Sequence, residues 1–124
     1  MRLFDAHNHL QDTRFGGRQD ELIADCAANA LSRMVVNGTR ESDWPDVAAL
    51  AKRHDCVLPS FGLHPWFVHE RTADWLPNLE RQLDTWPGAV GEIGLNRWKP
   101  GLAYDGQEEV FTAQLRLAAE RDLP

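Results

Sequence analysis

Four short apolar runs alternate with four helical stretches along this chain, and this alternation constrains the fold more than any other feature. The runs, residues 3–10, 34–39, 57–64 and 89–95, are rich in Val, Leu, Ile or Phe and predict β-strands. The other stretches, residues 20–33, 43–54, 74–86 and 107–121, predict helices. Four β-then-α units in series predict an α/β fold with a parallel sheet, right-handed crossovers and helices packed outside.

The length of the chain limits the size of that sheet. It has 124 residues, whereas a complete (βα)8 barrel usually needs about 250. Because no linker or low-complexity segment divides it, residues 1–124 are expected to form one structural region. The last helix runs into Leu123 and Pro124, which normally lead into another strand.

Composition excludes several classes of protein. The 13 Lys and Arg residues against 19 Asp and Glu residues give a net charge of −6, which argues against a broad basic face that grips phosphates. The apolar runs are far shorter than the roughly 18 residues of a membrane span, so we expect a cytoplasmic protein. Cys26 and Cys56 lie in apolar segments without metal-site spacing, which predicts buried free thiols.

Each predicted strand turns polar at its end, where the chemistry of a parallel α/β fold gathers. His7 and His9 follow the first run, and residues two apart on a strand point the same way, so their imidazoles can share one divalent cation. Asp5 is expected on the same face. The alternative is two histidines that make ordinary hydrogen bonds in a turn.

Glu92 interrupts the fourth run between Gly91 and Gly94. A glutamate among apolar residues is costly to bury unless a cation or a set of hydrogen bonds compensates its charge. We therefore predict that Glu92 binds a metal together with the two histidines, with a structural salt bridge as the alternative.

Other residues near the strand ends are weaker candidates. His64 and Trp66 are expected to line a substrate pocket, although His64 also fits a structural role or a hydrogen bond to a metal ligand. Trp98 is a further pocket candidate, Trp75 and Trp86 are expected to pack helices, and His54 and His69 are expected to be solvated. Five basic residues in post-strand loops are candidates for phosphate contact or simple solvation: Arg14, Arg18, Arg40, Arg97 and Lys99.

Four motifs together resemble the TatD-type metal-dependent hydrolases of the amidohydrolase superfamily. They are DAHNHL at residues 5–10, GLHP at 62–65, GEIGL at 91–95, and a final helix with Gln107, Phe111, Gln114 and Leu117 at the family's spacing. The motifs occur in the family's order and span essentially the whole chain. PHP-type phosphoesterases also begin with H-x-H, but GLHP and GEIGL favour the TatD resemblance. Amidohydrolases with a carboxylated lysine are disfavoured, because no lysine ends the fourth run.

The resemblance implies the first four βα units of a (βα)8 barrel, with one or two divalent ions of Zn, Mn or Mg. A metal-activated water would hydrolyse phosphodiester bonds, as in DNA. The resemblance also implies that His7 and His9 bind the first metal, that Glu92 binds or bridges both, and that His64 is a pocket residue. The family usually has Asp where this chain has Asn96, which we assign to the pocket.

The same resemblance leaves the activity of this chain open. The family takes further histidine ligands and a general-base Asp from later strands, which lie beyond these 124 residues. One alternative is a homodimer in which two half-barrels close the sheet. The other is a non-catalytic half-barrel that binds a metal or a partner protein without turnover.

Overall fold

A computed structural model describes residues 1–124 as a four-stranded parallel sheet with helices packed against it. The strands, in chain order and in sheet order, are β1 (Leu3–Asn8), β2 (Leu31–Asn37), β3 (Val57–Phe61) and β4 (Ala89–Val90). The helices are α1 (Gln19–Ala28), α2 (Trp44–Arg53), α3 (Trp75–Thr85) and α4 (Tyr104–Glu120). Short 3₁₀ helices at Thr13–Phe15 and Pro65–Glu70 follow β1 and β3. The predicted α/β half-barrel is confirmed.

The core lies between the sheet and the helices. It contains 18 buried apolar residues, drawn from the strands, from the helices and from the loops that follow β1 and β3. Trp44 is 2% exposed at the start of α2, and its indole Nε1 donates to the Gly62 carbonyl at 3.0 Å. This bond ties α2 to the segment after β3, so the large apolar side chain also fixes a loop. Trp75 and Trp86 pack on the core, as predicted.

The boundary between α1 and β2 differs from the prediction. The sequence predicts a helix to residue 33, whereas α1 ends at Ala28 and β2 begins at Leu31. Ala30 adopts a left-handed φ of 70° between them. Because this conformation ordinarily favours glycine, an alanine there gives no sequence signal for the end of the helix.

β4 is much shorter than its apolar run. The sequence predicts a strand over residues 89–95, but only Ala89–Val90 pair with β3. The Gly91 amide still donates to the Phe61 carbonyl at 3.0 Å, while the Glu92 amide crosses to the Gly38 carbonyl beyond β2 at 2.8 Å. The chain thus leaves the ladder at Glu92. β1 and β3 also end before residues 10 and 64, respectively, where the predicted runs end.

Three further expectations have mixed outcomes. Cys26 and Cys56 are free, but both are half-buried beside the core rather than fully enclosed. His69 is exposed as expected, whereas His54 is largely covered and its Nε2 lies 2.7 Å from an Asp20 oxygen. None of the helices is both long and apolar enough to cross a bilayer.

Glu41 joins two loops on the helical side of the sheet, and its loss should destabilise the fold. Its carboxylate accepts from the Thr72 amide and hydroxyl and from Asn78 Nδ2, at 2.6 to 2.9 Å. Burial raises the pKa of Glu41, but these hydrogen bonds outweigh it and hold the pKa below its ordinary 4.5. We expect Glu41→Ala to cost about 1 kcal/mol at neutral pH, since partial exposure weakens the bonds.

The pH dependence of that cost follows from the depressed pKa. The contribution of Glu41 is present above pH 4.5 and is lost as the pH falls through the lower pKa of the folded state. Urea denaturation of wild type and variant should show the stability difference closing below pH 4.5. Glu108→Ala, at an exposed glutamate of α4, is the control. A difference that stays constant with pH would contradict the assignment.

Candidate metal centre

His7 and His9 converge at the carboxyl end of β1. Their Nε2 atoms are 3.3 Å apart and their rings are nearly perpendicular. The pairing of β1 with β2 shifts register between Asp5 and Asn8, so His7 lies in an irregular part of the strand. There the Asp5 carboxylate accepts from the His7 amide at 3.1 Å and from Asn8 Nδ2 at 2.9 Å. Asp5 therefore supports the backbone of the irregular segment and is not part of the cluster.

Glu92 brings its carboxylate to both histidines. Its Oε2 lies 3.2 Å from His7 Nε2 and 3.1 Å from His9 Nε2. Its other oxygen, Oε1, lies 3.3 Å from His64 Nε2. One carboxylate thus meets three imidazoles that come from the ends of β1 and β3. The two oxygens have different neighbours, which fixes the rotation of the carboxylate group.

Hydrogen bonds to the main chain decide which ring nitrogens are free. His9 Nδ1 lies 2.8 Å from the Asn37 carbonyl, which only accepts, so Nδ1 carries the proton and Nε2 offers its lone pair. His64 has the opposite arrangement, because its Nδ1 accepts from the Trp66 amide at 3.1 Å. In neutral His64 the proton is on Nε2, which donates to Glu92 and is not available as a metal ligand.

The residues present fit a divalent metal. Ligand atoms of His7, His9 and Glu92 all lie within 4.8 Å of one another. Metal–ligand bonds of about 2.1 Å place neighbouring ligand atoms about 3.0 to 3.4 Å apart at octahedral to tetrahedral angles. The three distances of 3.1, 3.2 and 3.3 Å fall within that range. Two imidazoles and a carboxylate are also a donor set that suits Zn and similar ions.

The cluster opens toward β1. Side-chain exposure rises from 17% at His64 and 27% at Glu92 to 35% at His9 and 54% at His7. Burial lowers the pKa of His64, although the Glu92 carboxylate opposes this effect. His64 is thereby favoured in the neutral form that donates to Glu92.

Two glycines allow the ends of β3 and β4 to approach closely. A Cβ atom on Gly62 would lie 2.9 Å from the Gly91 carbonyl carbon and 2.9 Å from Ile93 Cγ2. A Cβ on Gly91 would lie 2.7 Å from Ser60 Oγ. All three separations are shorter than real Cβ contacts allow. Gly62 of GLHP and Gly91 of GEIGL therefore let Glu92 lie beside His64.

A cavity of about 590 Å³ adjoins the cluster, and most of the residues that line it are polar or charged. His9, His64 and Glu92 line this cavity, and Trp66 is one of its two apolar lining residues. Arg14 and Arg40 also line it, each beside a carboxylate. Asp12, in the same wall, accepts hydrogen bonds from the Arg14 side chain and amide, which lower the pKa of Asp12 to about 2. The wall of the cavity therefore carries both positively and negatively charged side chains.

The other candidates lie outside that wall. Lys99 Nζ sits 4.5 Å from the centre of the Trp66 ring, and Arg97 stacks on Tyr104. Arg18 pairs with Glu21, and Trp98 is 83% exposed. Asn96 does not line the cavity. Its Oδ1 accepts from the Lys99 amide at 2.9 Å, in a turn beyond the cluster.

Comparison with known sequences identifies the family to which this chain belongs. The sequence model of the family described as "TatD related DNase" matches residues 4–124. The chain belongs to this TatD family. The resemblance stated from DAHNHL, GLHP and GEIGL is confirmed, and with it the expectation that the chain resembles a metal-dependent hydrolase.

Individual relatives agree with this assignment. The chain is 29% identical over 126 residues to a protein described as the uncharacterized metal-dependent hydrolase YjjV of Escherichia coli K12, covering 99% of this chain and 49% of that protein. It is 32% identical to the 3'-5' ssDNA/RNA exonuclease TatD of Citrobacter koseri, covering 98% and 47%. The crystal structure of Escherichia coli YjjV superposes with a TM-score of 0.90 at 28% identity, covering 99% of this chain and 49% of that one. The chain thus spans about half the length of the curated relatives it matches.

Some groups that contact the cluster or its neighbouring segments are not indicated by any local sequence pattern. The Asn37 carbonyl that orients His9 is a main-chain group, and residue identity does not reveal it. Gln11, 6% exposed, donates to the same carbonyl at 2.7 Å. Gln107 and Gln114 belong to the final motif, but only their buried positions on one face of a helix distinguish them from surface glutamines.

The close approach of Gly62 to the Glu92 segment can be tested by adding one methyl group. Gly62→Ala should push Glu92 away from His64, destabilise the fold by about 1 to 3 kcal/mol and reduce Mn²⁺ binding. Gly94→Ala is the matched control, because nothing lies within 4 Å of its added Cβ. Denaturation measures the change in stability, and calorimetric titration with Mn²⁺ measures the change in binding. Equal behaviour of the two variants would contradict this account of Gly62.

Proposed function

We propose that His7, His9 and Glu92 bind a divalent metal as part of a TatD-type hydrolytic site. The observation that carries the proposal is the set of 3.1 to 3.3 Å separations among His7 Nε2, His9 Nε2 and Glu92 Oε2 in a member of this family. We further propose that residues 1–124 supply the first four βα units of the barrel. The remaining ligands and the general-base Asp then come from outside these residues.

The chain's own groups have distinct parts in such a site. A bound divalent ion supplies Lewis acidity at a phosphoryl oxygen and lowers the pKa of water. His9 offers Nε2 because the Asn37 carbonyl holds the proton on Nδ1. Glu92 supplies negative charge that offsets the charge of a cation. His64 donates to Glu92 Oε1 and so keeps Oε2 directed at His7 and His9.

A phosphodiester, as in single-stranded nucleic acid, is the substrate class that the surroundings favour. The cavity places Arg14 and Arg40 near the cluster, and guanidinium groups pair well with phosphate oxygens. The Trp66 ring offers a surface on which a base can stack. Several relatives are named 3'-5' ssDNA/RNA exonucleases. The cytoplasmic location stays a prediction from the sequence.

A second candidate is metal binding without turnover. The 54% exposure of His7 favours it, because hydrolysis by a metal site generally needs exclusion of bulk water and a positioned base. A partner that covers the β1 side would complete the site, and a second copy of this chain is one such partner.

Metal binding is the first test. Titration of the 124-residue chain with Mn²⁺ or Zn²⁺ should show saturable binding, and the double variant His7→Ala/His9→Ala should lose it. His69→Ala, at an exposed histidine that is not among the grouped ligand residues, should bind as wild type does. Binding that survives in the double variant would contradict the proposed ligands.

Turnover separates the two candidate functions. Release of p-nitrophenol from bis(p-nitrophenyl) phosphate is measured with Mn²⁺, Mg²⁺ or Zn²⁺, and hydrolysis that disappears in the double variant supports the catalytic function. Metal binding with no release favours the non-catalytic one. Light scattering on the same samples tests pairing. A mass twice that of one chain supports a homodimer, and a monomer contradicts it.

A further inference from the structure

Two glutamines of α4 are buried where apolar side chains are expected. Gln114 is 0% exposed and Gln107 is 1% exposed. They are seven residues apart, which is about two helical turns, so they share one face of α4 with the buried Val110 and Leu117. A buried primary amide is unfavourable unless hydrogen bonds satisfy it, so the contacts of these two side chains indicate what they do.

Gln114 holds the segment that carries His64. Its Oε1 accepts from the Leu63 amide at 2.6 Å, and its Nε2 donates to the Leu63 carbonyl at 3.3 Å. Both main-chain groups of one residue are thus paired with one side chain, much as a neighbouring strand would pair them. Leu63 directly precedes His64, whose amide donates to the Thr39 carbonyl at 2.9 Å. The backbone on both sides of this peptide bond is fixed.

Gln107 holds the segment that follows Glu92. Its Oε1 accepts from the Asn96 amide at 2.7 Å, while its buried Nε2 has no hydrogen-bond partner. The segment between Glu92 and Asn96 has no regular secondary structure, so it depends on such single contacts for its position. One face of α4 therefore contacts the loop that carries His64 and the loop that carries Glu92. These two loops meet where His64 Nε2 lies 3.3 Å from Glu92 Oε1.

We propose that Gln114 and Gln107 are positioning residues of the metal centre. Through Leu63, Gln114 keeps His64 where it can donate to Glu92 Oε1, and this bond directs Glu92 Oε2 at His7 and His9. Gln107 holds the other end of the Glu92 segment. The inference rests on the proposed metal centre only for its effect on metal affinity, because the contact between His64 and Glu92 exists in the metal-free chain.

The test compares Gln114→Leu with Val110→Ala. The leucine keeps most of the side-chain volume and removes both hydrogen bonds to Leu63. Val110 is 0% exposed on the same helix face, so its truncation disturbs packing without touching either loop through a polar contact. Denaturation establishes how far each variant is destabilised. Gln114→Glu, which keeps an acceptor for the Leu63 amide, replaces Gln114→Leu if that variant does not fold.

Two measurements read out the position of His64 and the metal affinity. In metal-free protein, ¹⁵N spectra of the histidine rings should show His64 with its proton on Nε2 in wild type and in Val110→Ala, and a changed signal in Gln114→Leu. Calorimetry with Mn²⁺ should show affinity about tenfold weaker in Gln114→Leu. Val110→Ala should stay close to wild type.

The outcomes separate this inference from the proposed function. If Gln114→Leu leaves both the His64 signal and the Mn²⁺ affinity as they are in Val110→Ala, the positioning role is wrong. If wild type binds no Mn²⁺, the proposed metal centre fails, and the His64 signal alone decides whether Gln114 positions that histidine. A changed His64 signal with unchanged Mn²⁺ affinity would overturn the link to the metal centre.

Discussion

The Glu92 carboxylate and amide contact groups at the carboxyl ends of the other three strands of this sheet. Its Oε2 meets His7 and His9 at the end of β1, its Oε1 meets His64 after β3, and its amide donates to the Gly38 carbonyl after β2. An anionic group among apolar strands is tolerated only where such partners surround it. The groups at the converging strand ends are therefore the partners that allow the charge of Glu92 to lie among them.

Close approaches at two glycines make this convergence possible. Gly62 lies against the main chain of Gly91 and Glu92, and Gly91 lies against the Ser60 hydroxyl of β3, at distances that a Cβ would not allow. Trp44 then closes the opposite side of Gly62 through its indole hydrogen bond. Two missing side chains and one large one thus allow the Glu92 segment to lie close to the end of β3.

Periodicity and motif spacing predicted most of the architecture and the grouping of the His7, His9 and Glu92 side chains. They could do so because parallel strands with alternating faces leave few ways to arrange the residues at their ends. The errors fell where local structure departs from those rules. Ala30 turns the chain without a glycine, and the run after Val90 leaves the ladder because Glu92 bonds across to Gly38. The roles of the Asn37 carbonyl, Gln107 and Gln114 depend on contacts between distant segments, which no local pattern encodes.

The two 3₁₀ helices that follow β1 and β3 have a different relation to the site. They carry Arg14 and Trp66 into the cavity wall, whereas His7, His9 and Glu92 lie at or just beyond strand ends. Variation in these two short segments can therefore change the wall of the cavity, while the ligand atoms of His7, His9 and Glu92, which belong to neither segment, keep their positions.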